Sequence, residues 1–160
     1  QDAFEDQAEA WRWPREALFG PLGMTSAVLE ADAEGTFVGS SYLYATARDW
    51  ARFGLFLLRD GRWFGREILP EGYVGWMRKA APASDGLYGR GHVWLVGPGG
   101  DDDGFDLPPD TFWLRGHDGQ TTAVVPSLDL VVVRMGLTPS RLGYRPQQML
   151  ALIARALRGN

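Results

Sequence analysis

Two β-branched runs joined by a short turn restrict the fold of this chain more than any other feature. Residues 121–125 and 130–133 are rich in Val and Thr, and Pro126-Ser127-Leu128-Asp129 between them has the composition of a turn. The pattern predicts a β-hairpin. Because residues 130–133 are apolar at every position, we expect this strand to be covered on both faces, and the hairpin to be central rather than peripheral.

A glycine-flanked His-Asp pair stands just ahead of this hairpin, in Gly116-His117-Asp118-Gly119-Gln120. Glycine in a strand often marks a place where a ligand or another backbone comes close. The segment is therefore the main candidate for a functional site. The alternative for His117 is a histidine at the end of a strand that is satisfied by its neighbours.

Three segments carry helix signals. Residues 3–19 predict a helix that Pro14 kinks and that residues 20–24 stop. Residues 46–61 open on a capping box and have apolar residues at helical spacing. A third helix starts at Pro146, with an expected apolar stripe of Met149, Leu152, Ile153 and Ala156.

The intervening segments have weaker signals. Residues 25–45 are typical of a loop, and residues 68–77 predict a short helix. Residues 87–95 predict a strand, and residues 97–110 a long polar connection.

Composition excludes several functions. The 160 residues include 20 acidic and 16 basic side chains without a basic block, which argues against nucleic-acid binding. The absence of cysteine excludes disulfides, thiolate metal sites and a cysteine nucleophile. No apolar run approaches the ~18 residues that span a bilayer. Because the chain has neither an initiator Met nor a signal-peptide start, we expect any targeting signal to lie upstream, which leaves the compartment open.

We expect neither a metal nor a cofactor. The acidic residues between Gly100 and Asp106 are consecutive, whereas an EF-hand needs them at alternate positions, so a solvated loop is favoured. His92 and His117 are the only histidines, and no cysteine is available to complete a zinc site.

Five motifs occur in order within residues 11–157: residues 19–24 (Phe-x-Pro-Leu-Gly-Met), 46–54, 68–71, 87–95 and 116–134. Together they resemble the serine hydrolases related to class C β-lactamases, penicillin-binding proteins and 6-aminohexanoate-dimer hydrolase. The motif at residues 87–95 departs from the family because His92 stands where Trp is usual.

The resemblance implies a β-lactamase/transpeptidase-like α+β fold, in which helices flank an antiparallel sheet. It also implies acyl transfer to a serine and hydrolysis of a small ester, amide or β-lactam. His117-Asp118-Gly119 would replace the Lys-Thr-Gly of other members, with the imidazole facing the acyl pocket. The Gln120 amide N–H would then be the second oxyanion donor, and its alternative role is ordinary strand pairing.

Further side chains are candidates for substrate binding. Asp118 is a candidate to contact the substrate from a turn or surface position, and we do not expect it to act as a catalytic acid. Aromatic residues could line the pocket, although such residues more often belong to a core. These aromatic candidates are Tyr42, Tyr44 and Trp94.

The chain lacks the Ser-x-x-Lys and Tyr-x-Asn motifs that the resemblance requires. These motifs normally precede the matched segment. We therefore expect residues 1–160 to be the C-terminal portion of a single bacterial hydrolase domain, with the N-terminal portion of the same protein as partner and a periplasmic, secreted or cytoplasmic location. Two alternatives remain: a catalytically inactive ligand-binding relative, and a free-standing structural or interaction domain.

Overall fold

A computed structural model describes residues 3–159 of the chain. The chain divides into two compact units, one up to Phe53 and the other from Gly54 onward. The helices are α1 (Gln7–Pro14), α2 (Gly20–Leu22), α3 (Ala47–Leu58), α4 (Tyr73–Met77) and α5 (Pro146–Leu157). The strands are β1 (Val28–Leu29), β2 (Leu43–Tyr44), β3 (Arg62–Trp63), β4 (Arg66–Glu67), β5 (Phe112–Arg115), β6 (Thr121–Val125) and β7 (Leu130–Arg134).

The first unit opens with the predicted helix, which starts later than expected. The Asp6 carboxylate accepts the Glu9 N–H at 2.7 Å and so caps α1. The chain passes through Pro14 into a π-helical turn, Arg15–Phe19, and then into α2. A proline ring crowds the preceding turn, which suits a locally widened helix. Gly23, at φ 70°, ends the segment within the predicted stop.

The segment predicted as a loop contains two short strands. β1 and β2 pair antiparallel, with Val28 opposite Tyr44. The prediction was wrong for these residues because two-residue strands lack a detectable alternation in the sequence.

Helix α3 confirms the prediction for residues 46–61. The Thr46 hydroxyl accepts the Asp49 N–H at 3.4 Å. After the helix, Asp60 and Gly61 both adopt positive φ, and the Gly61 N–H donates to the Phe56 carbonyl at 2.9 Å.

The second unit is built on a three-stranded antiparallel sheet in the order β5-β6-β7. The predicted hairpin is confirmed as β6 and β7, joined by the turn Pro126–Leu128 with Asp129 in the left-handed region. The hairpin is central, as predicted, because it supplies the middle strand of the sheet, but the prediction that residues 130–133 are covered on both faces was wrong. β6 is central and buried at every position, since β5 pairs with its other edge, and β7 is only half-buried.

Helices lie on both faces of this sheet. On one face Trp113, Ala123 and Val125 pack with Leu150 of α5. On the other face, α3 from Gly54 onward approaches closely, because a Cβ at Gly54 would stand 2.5 Å from Val131 Cγ1. A glycine is therefore required at this helix–sheet contact.

Helix α5 starts at Pro146 as predicted, but its expected apolar stripe was wrong. The residues of α5 that are buried are Pro146, Gln147, Leu150, Ala151 and Ala154, whereas Leu152 is 66% exposed. The buried face carries the apolar contact of Leu150 with the sheet and also Gln147, whose amide donates to the Pro98 carbonyl at 2.9 Å and to the Asp102 carboxylate at 3.0 Å. Such a long-range polar contact is invisible to hydrophobic periodicity.

Residues 87–95 do not form the predicted strand. The chain reverses there, with the Gly89 N–H donating to the Val93 carbonyl at 2.7 Å and His92 at φ 62°. Tyr88 and Trp94 form an isolated bridge across the reversal. Gly89 and Gly91, together with His92 at positive φ, favour a turn over an extended strand.

The acidic connection between Gly97 and Asp106 folds around one carboxylate, because Asp102 accepts the Gly97 N–H at 2.9 Å. Within residues 3–159, no group of three or more His, Asp or Glu side chains is arranged to hold a metal ion. Over the same residues, no helix has the length and apolar character needed to cross a membrane.

Candidate functional site

The His-Asp-Gly segment forms the turn between β5 and β6. It is a short 3₁₀ turn, His117–Gly119, with Asp118 at φ 50° and Gly119 at φ 78°. The Gly116 N–H donates to the Gln120 carbonyl at 2.8 Å and closes the turn. Two consecutive left-handed residues are unusual outside glycine and asparagine or aspartate, so the Asp-Gly sequence suits this conformation. The candidate residues thus lie at a hairpin turn rather than along a strand.

The His117 side chain projects from this turn. It is 84% exposed within the described chain, and its Nε2 lies 3.3 Å from Asp118 Oδ2. The Asp118 side chain is 31% exposed. A charge pair forms between the two only when the imidazole is protonated.

Gln120 donates twice to the same acceptor. Its backbone N–H donates to the His117 carbonyl at 3.2 Å, and its side-chain amide donates to that carbonyl at 3.3 Å. Both distances are at or beyond the long end of the range for N–H···O bonds. The Gln120 backbone N–H therefore makes a weak hydrogen bond. The His117 carbonyl would still accept from the Gln120 side-chain amide if that bond were broken.

The Trp94 ring is covered rather than open. The guanidinium of Arg115 lies 3.9 Å from its centroid, and the Tyr88 ring contacts it edge-on at 4.7 Å. Burial lowers the pKa of Arg115, and the Asp102 carboxylate opposes this shift. Arginine nevertheless stays protonated in proteins. The Arg115 cation, two residues before His117, therefore covers the ring of Trp94, the tryptophan that the sequence offered as a pocket-lining residue.

Tyr42 and Tyr44 belong to the first compact unit, whereas the other candidates belong to the second. Each tyrosine is 53% exposed. Tyr42 has φ 63°, which is costly for a bulky side chain, and its carbonyl accepts the Glu30 N–H at 3.1 Å. The structure thus groups four predicted residues in one turn, His117 to Gln120, and leaves these two tyrosines in a separate unit.

Two arginines at this end of the sheet were missed by the sequence analysis. Arg115 and Arg134 both pair with Thr121, on its two sides, so the three side chains share one face of the sheet. Counting outward from the predicted Pro126 turn would have placed Arg134 opposite Thr121. Arg115 carried no such signal, because the β5–β6 turn was not recognised.

Comparison with known proteins gives a fold and no family. No family model matches the chain, and no curated protein matches it. Among solved structures, a "putative beta-lactamase" from Bacteroides dorei DSM 17855 is similar, with a TM-score of 0.58 and 20% sequence identity. The match covers 88% of this chain and 49% of that protein. The fold is β-lactamase-like. It is an α+β fold, as the sequence predicted, and the chain spans about half the length of that neighbour.

Proposed function

We propose that this chain is the C-terminal part of a β-lactamase-like serine hydrolase that acts on a small ester or amide through an acyl-serine intermediate. The observation that carries the proposal is the placement of the turn His117–Gly119 at the start of β6, the central strand of an antiparallel sheet in this fold. The match to about half of the neighbour's length is compatible with a nucleophile that lies outside these residues.

The chemistry proposed for the turn is stabilisation of an oxyanion. When a serine attacks an acyl carbon, the carbonyl oxygen becomes negative and needs aimed N–H donors. The Gln120 N–H has a long bond to the His117 carbonyl, which an anionic acceptor can outcompete. The Gln120 side-chain amide then continues to satisfy that carbonyl. The exchange leaves the His117 carbonyl paired.

His117 bears on the substrate class. The lysine that it replaces in the resembling enzymes carries a permanent charge, which suits a substrate carboxylate. An imidazole does not carry the permanent charge of a lysine, so we favour esters and amides over β-lactams. The Asp118 carboxylate oxygen lies 3.3 Å from the His117 ring nitrogen, so the two side chains would meet the substrate together.

The test compares this chain with the longest polypeptide that its gene encodes. Both are incubated with a fluorescent fluorophosphonate, which labels activated serines, and with p-nitrophenyl acetate and butyrate. We expect labelling and hydrolysis by the longer polypeptide alone, with both lost when the labelled serine is changed to alanine. A longer polypeptide that binds esters without hydrolysis or labelling would support the inactive binder. A gene that encodes only these 160 residues would support the free-standing domain and refute the proposal.

A further inference from the structure

The turn His117–Gly119 is held from outside by one side chain of β7. Arg134 is the last residue of β7 and pairs with Thr121, directly after Gln120. Its Nη1 donates to the Gly119 carbonyl at 2.9 Å and also to the Gly136 carbonyl. Its Nη2 donates to the Thr138 hydroxyl. The planar fork of a guanidinium suits this simultaneous contact with several oxygens.

The segment after β7 completes the contact. The Thr138 N–H donates to the Asp118 carbonyl at 2.7 Å. The Arg134 guanidinium lies over the Tyr144 ring, 4.2 Å from its centroid. A Cβ at Gly119 would meet Arg134 Nη1 at 3.3 Å and the Thr138 carbonyl at 3.4 Å. Two of the three carbonyls of the turn, those of Asp118 and Gly119, are thus bound by one cluster: Arg134, Thr138 and Tyr144.

The contact to the Gly119 carbonyl has a consequence for Gln120. This carbonyl and the Gln120 N–H belong to the same planar trans peptide, so they point in opposite directions. A guanidinium that fixes the oxygen therefore fixes where the N–H points. Without it, the peptide could rotate, because glycine tolerates a wide range of φ and ψ.

We propose that Arg134 is a positioning residue that sets the direction of the Gln120 N–H by holding the Gly119 carbonyl. The inference rests on the proposed function, in which that N–H receives the oxyanion. It predicts that Arg134 affects the rate of acylation without touching the substrate.

The test measures the peptide orientation directly. The chain is labelled with ¹⁵N, and residual dipolar couplings and amide exchange rates are compared between wild type, Arg134→Ala and Arg134→Lys. We expect Arg134→Ala to change the coupling of the Gln120 N–H and to accelerate exchange of the Thr138 amide by about tenfold or more. Amides of the buried β6 positions should keep their couplings. Arg134→Lys keeps the positive charge but loses the planar guanidinium. Its Gln120 coupling and Thr138 exchange rate should lie between those of wild type and Arg134→Ala.

Two further variants separate positioning from loss of folding. Arg155→Ala removes an exposed arginine of α5 and should leave the turn amides unchanged. Thr138→Val removes the hydroxyl that accepts from Arg134 but keeps the Thr138 N–H. It therefore replaces Arg134→Ala as the test variant if Arg134→Ala unfolds the chain. We expect it to change the Gln120 coupling in the same direction as Arg134→Lys, by less. An unchanged Gln120 coupling in both Arg134→Lys and Thr138→Val would overturn the proposal.

These measurements do not involve hydrolysis, so the two proposals fail separately. In a longer polypeptide that hydrolyses esters, Arg134→Ala should lower kcat by up to about 10²-fold with little change in KM, as expected for the loss of an oxyanion donor. A reoriented Gln120 N–H with unchanged kcat would sustain the positioning role and refute the oxyanion role.

Discussion

Asp49 offers the most direct test of the first compact unit, through the substitution Asp49→Asn. The carboxylate is 1% exposed and lies in the first turn of α3. It accepts the Ser26 N–H at 2.9 Å and the Ser26 hydroxyl at 2.6 Å, and it pairs with Arg52. The same Ser26 hydroxyl accepts the Thr46 N–H at 2.9 Å. The Thr46 hydroxyl accepts the Asp49 N–H directly, whereas the Asp49 carboxylate reaches the Thr46 N–H through the Ser26 hydroxyl.

The expected cost follows from these bonds. Hydrogen bonds to a charged group contribute about 1.5–3 kcal/mol each, and the pair with Arg52 adds at most about 1 kcal/mol because that side chain is 43% exposed. Asparagine keeps one oxygen in place but presents an NH₂ group to a donor and loses the attraction to Arg52. We expect Asp49→Asn to lower the free energy of unfolding by about 3 kcal/mol at pH 7, which is a shift in Tm of roughly 6–12 °C for a chain of this size.

The pH dependence provides an independent signature. Burial by itself raises the pKa of Asp49, but donation from Ser26 and the charge of Arg52 outweigh burial and hold the pKa below its usual value. A folded-state pKa below that of the unfolded chain stabilises the protein above the unfolded value of about 3.9, and the stabilisation is lost as the pH falls through the folded value. The difference between wild type and Asp49→Asn should therefore shrink as the pH is lowered from 7 towards 3.

The assay is urea denaturation followed by tryptophan fluorescence at pH 7, 5 and 3. Asp85→Asn is the control, because Asp85 is exposed and asparagine tolerates its positive φ of 48°. The control should keep the wild-type midpoint at pH 7. The reasoning is refuted if Asp49→Asn unfolds at the wild-type midpoint, or if its loss of stability is the same at all three values of pH.

Three further outcomes are expected. This chain alone should not hydrolyse p-nitrophenyl esters or a chromogenic cephalosporin, since it has no activated serine; turnover above buffer that a serine-directed phosphonate abolishes would contradict this. In a longer, active polypeptide, Gly119→Val should lower kcat by about 10²–10³-fold, because φ at Gly119 is 78° and the added side chain would crowd Arg134. Gln120→Ala should lower kcat much less. Wild-type kcat/KM in folded Gly119→Val would refute the assignment of the turn. The outer edge of β7 has no strand partner within residues 3–159, so the chain should self-associate or swap segments, and a monodisperse monomer in sedimentation would count against this.

Local sequence determined the hairpin of β6 and β7, the helix α3 and the start of α5. Each depends on interactions between residues close in the chain: a turn between β-branched runs, a hydroxyl cap at Thr46, and a proline at the first helical position. The segment Gly116 to Gln120 was also selected from the sequence, because two glycines bracket a His-Asp pair. Its role as a substrate site stays a prediction.

Tertiary structure decided the features that depend on residues far apart in the chain. Which strand is central follows from the pairing of β5 with β6. The buried face of α5 follows from contacts with distant residues, which include the packing of Leu150 on Trp113 and the bond of Gln147 to Pro98, 49 positions away. The hydrogen bond from Arg134 to the Gly119 carbonyl joins residues that are 15 positions apart in the chain. Apolar periodicity reports only that a side chain is to be buried. The partner that buries it, and the oxygen that a guanidinium meets, exist only once the strands have been brought together.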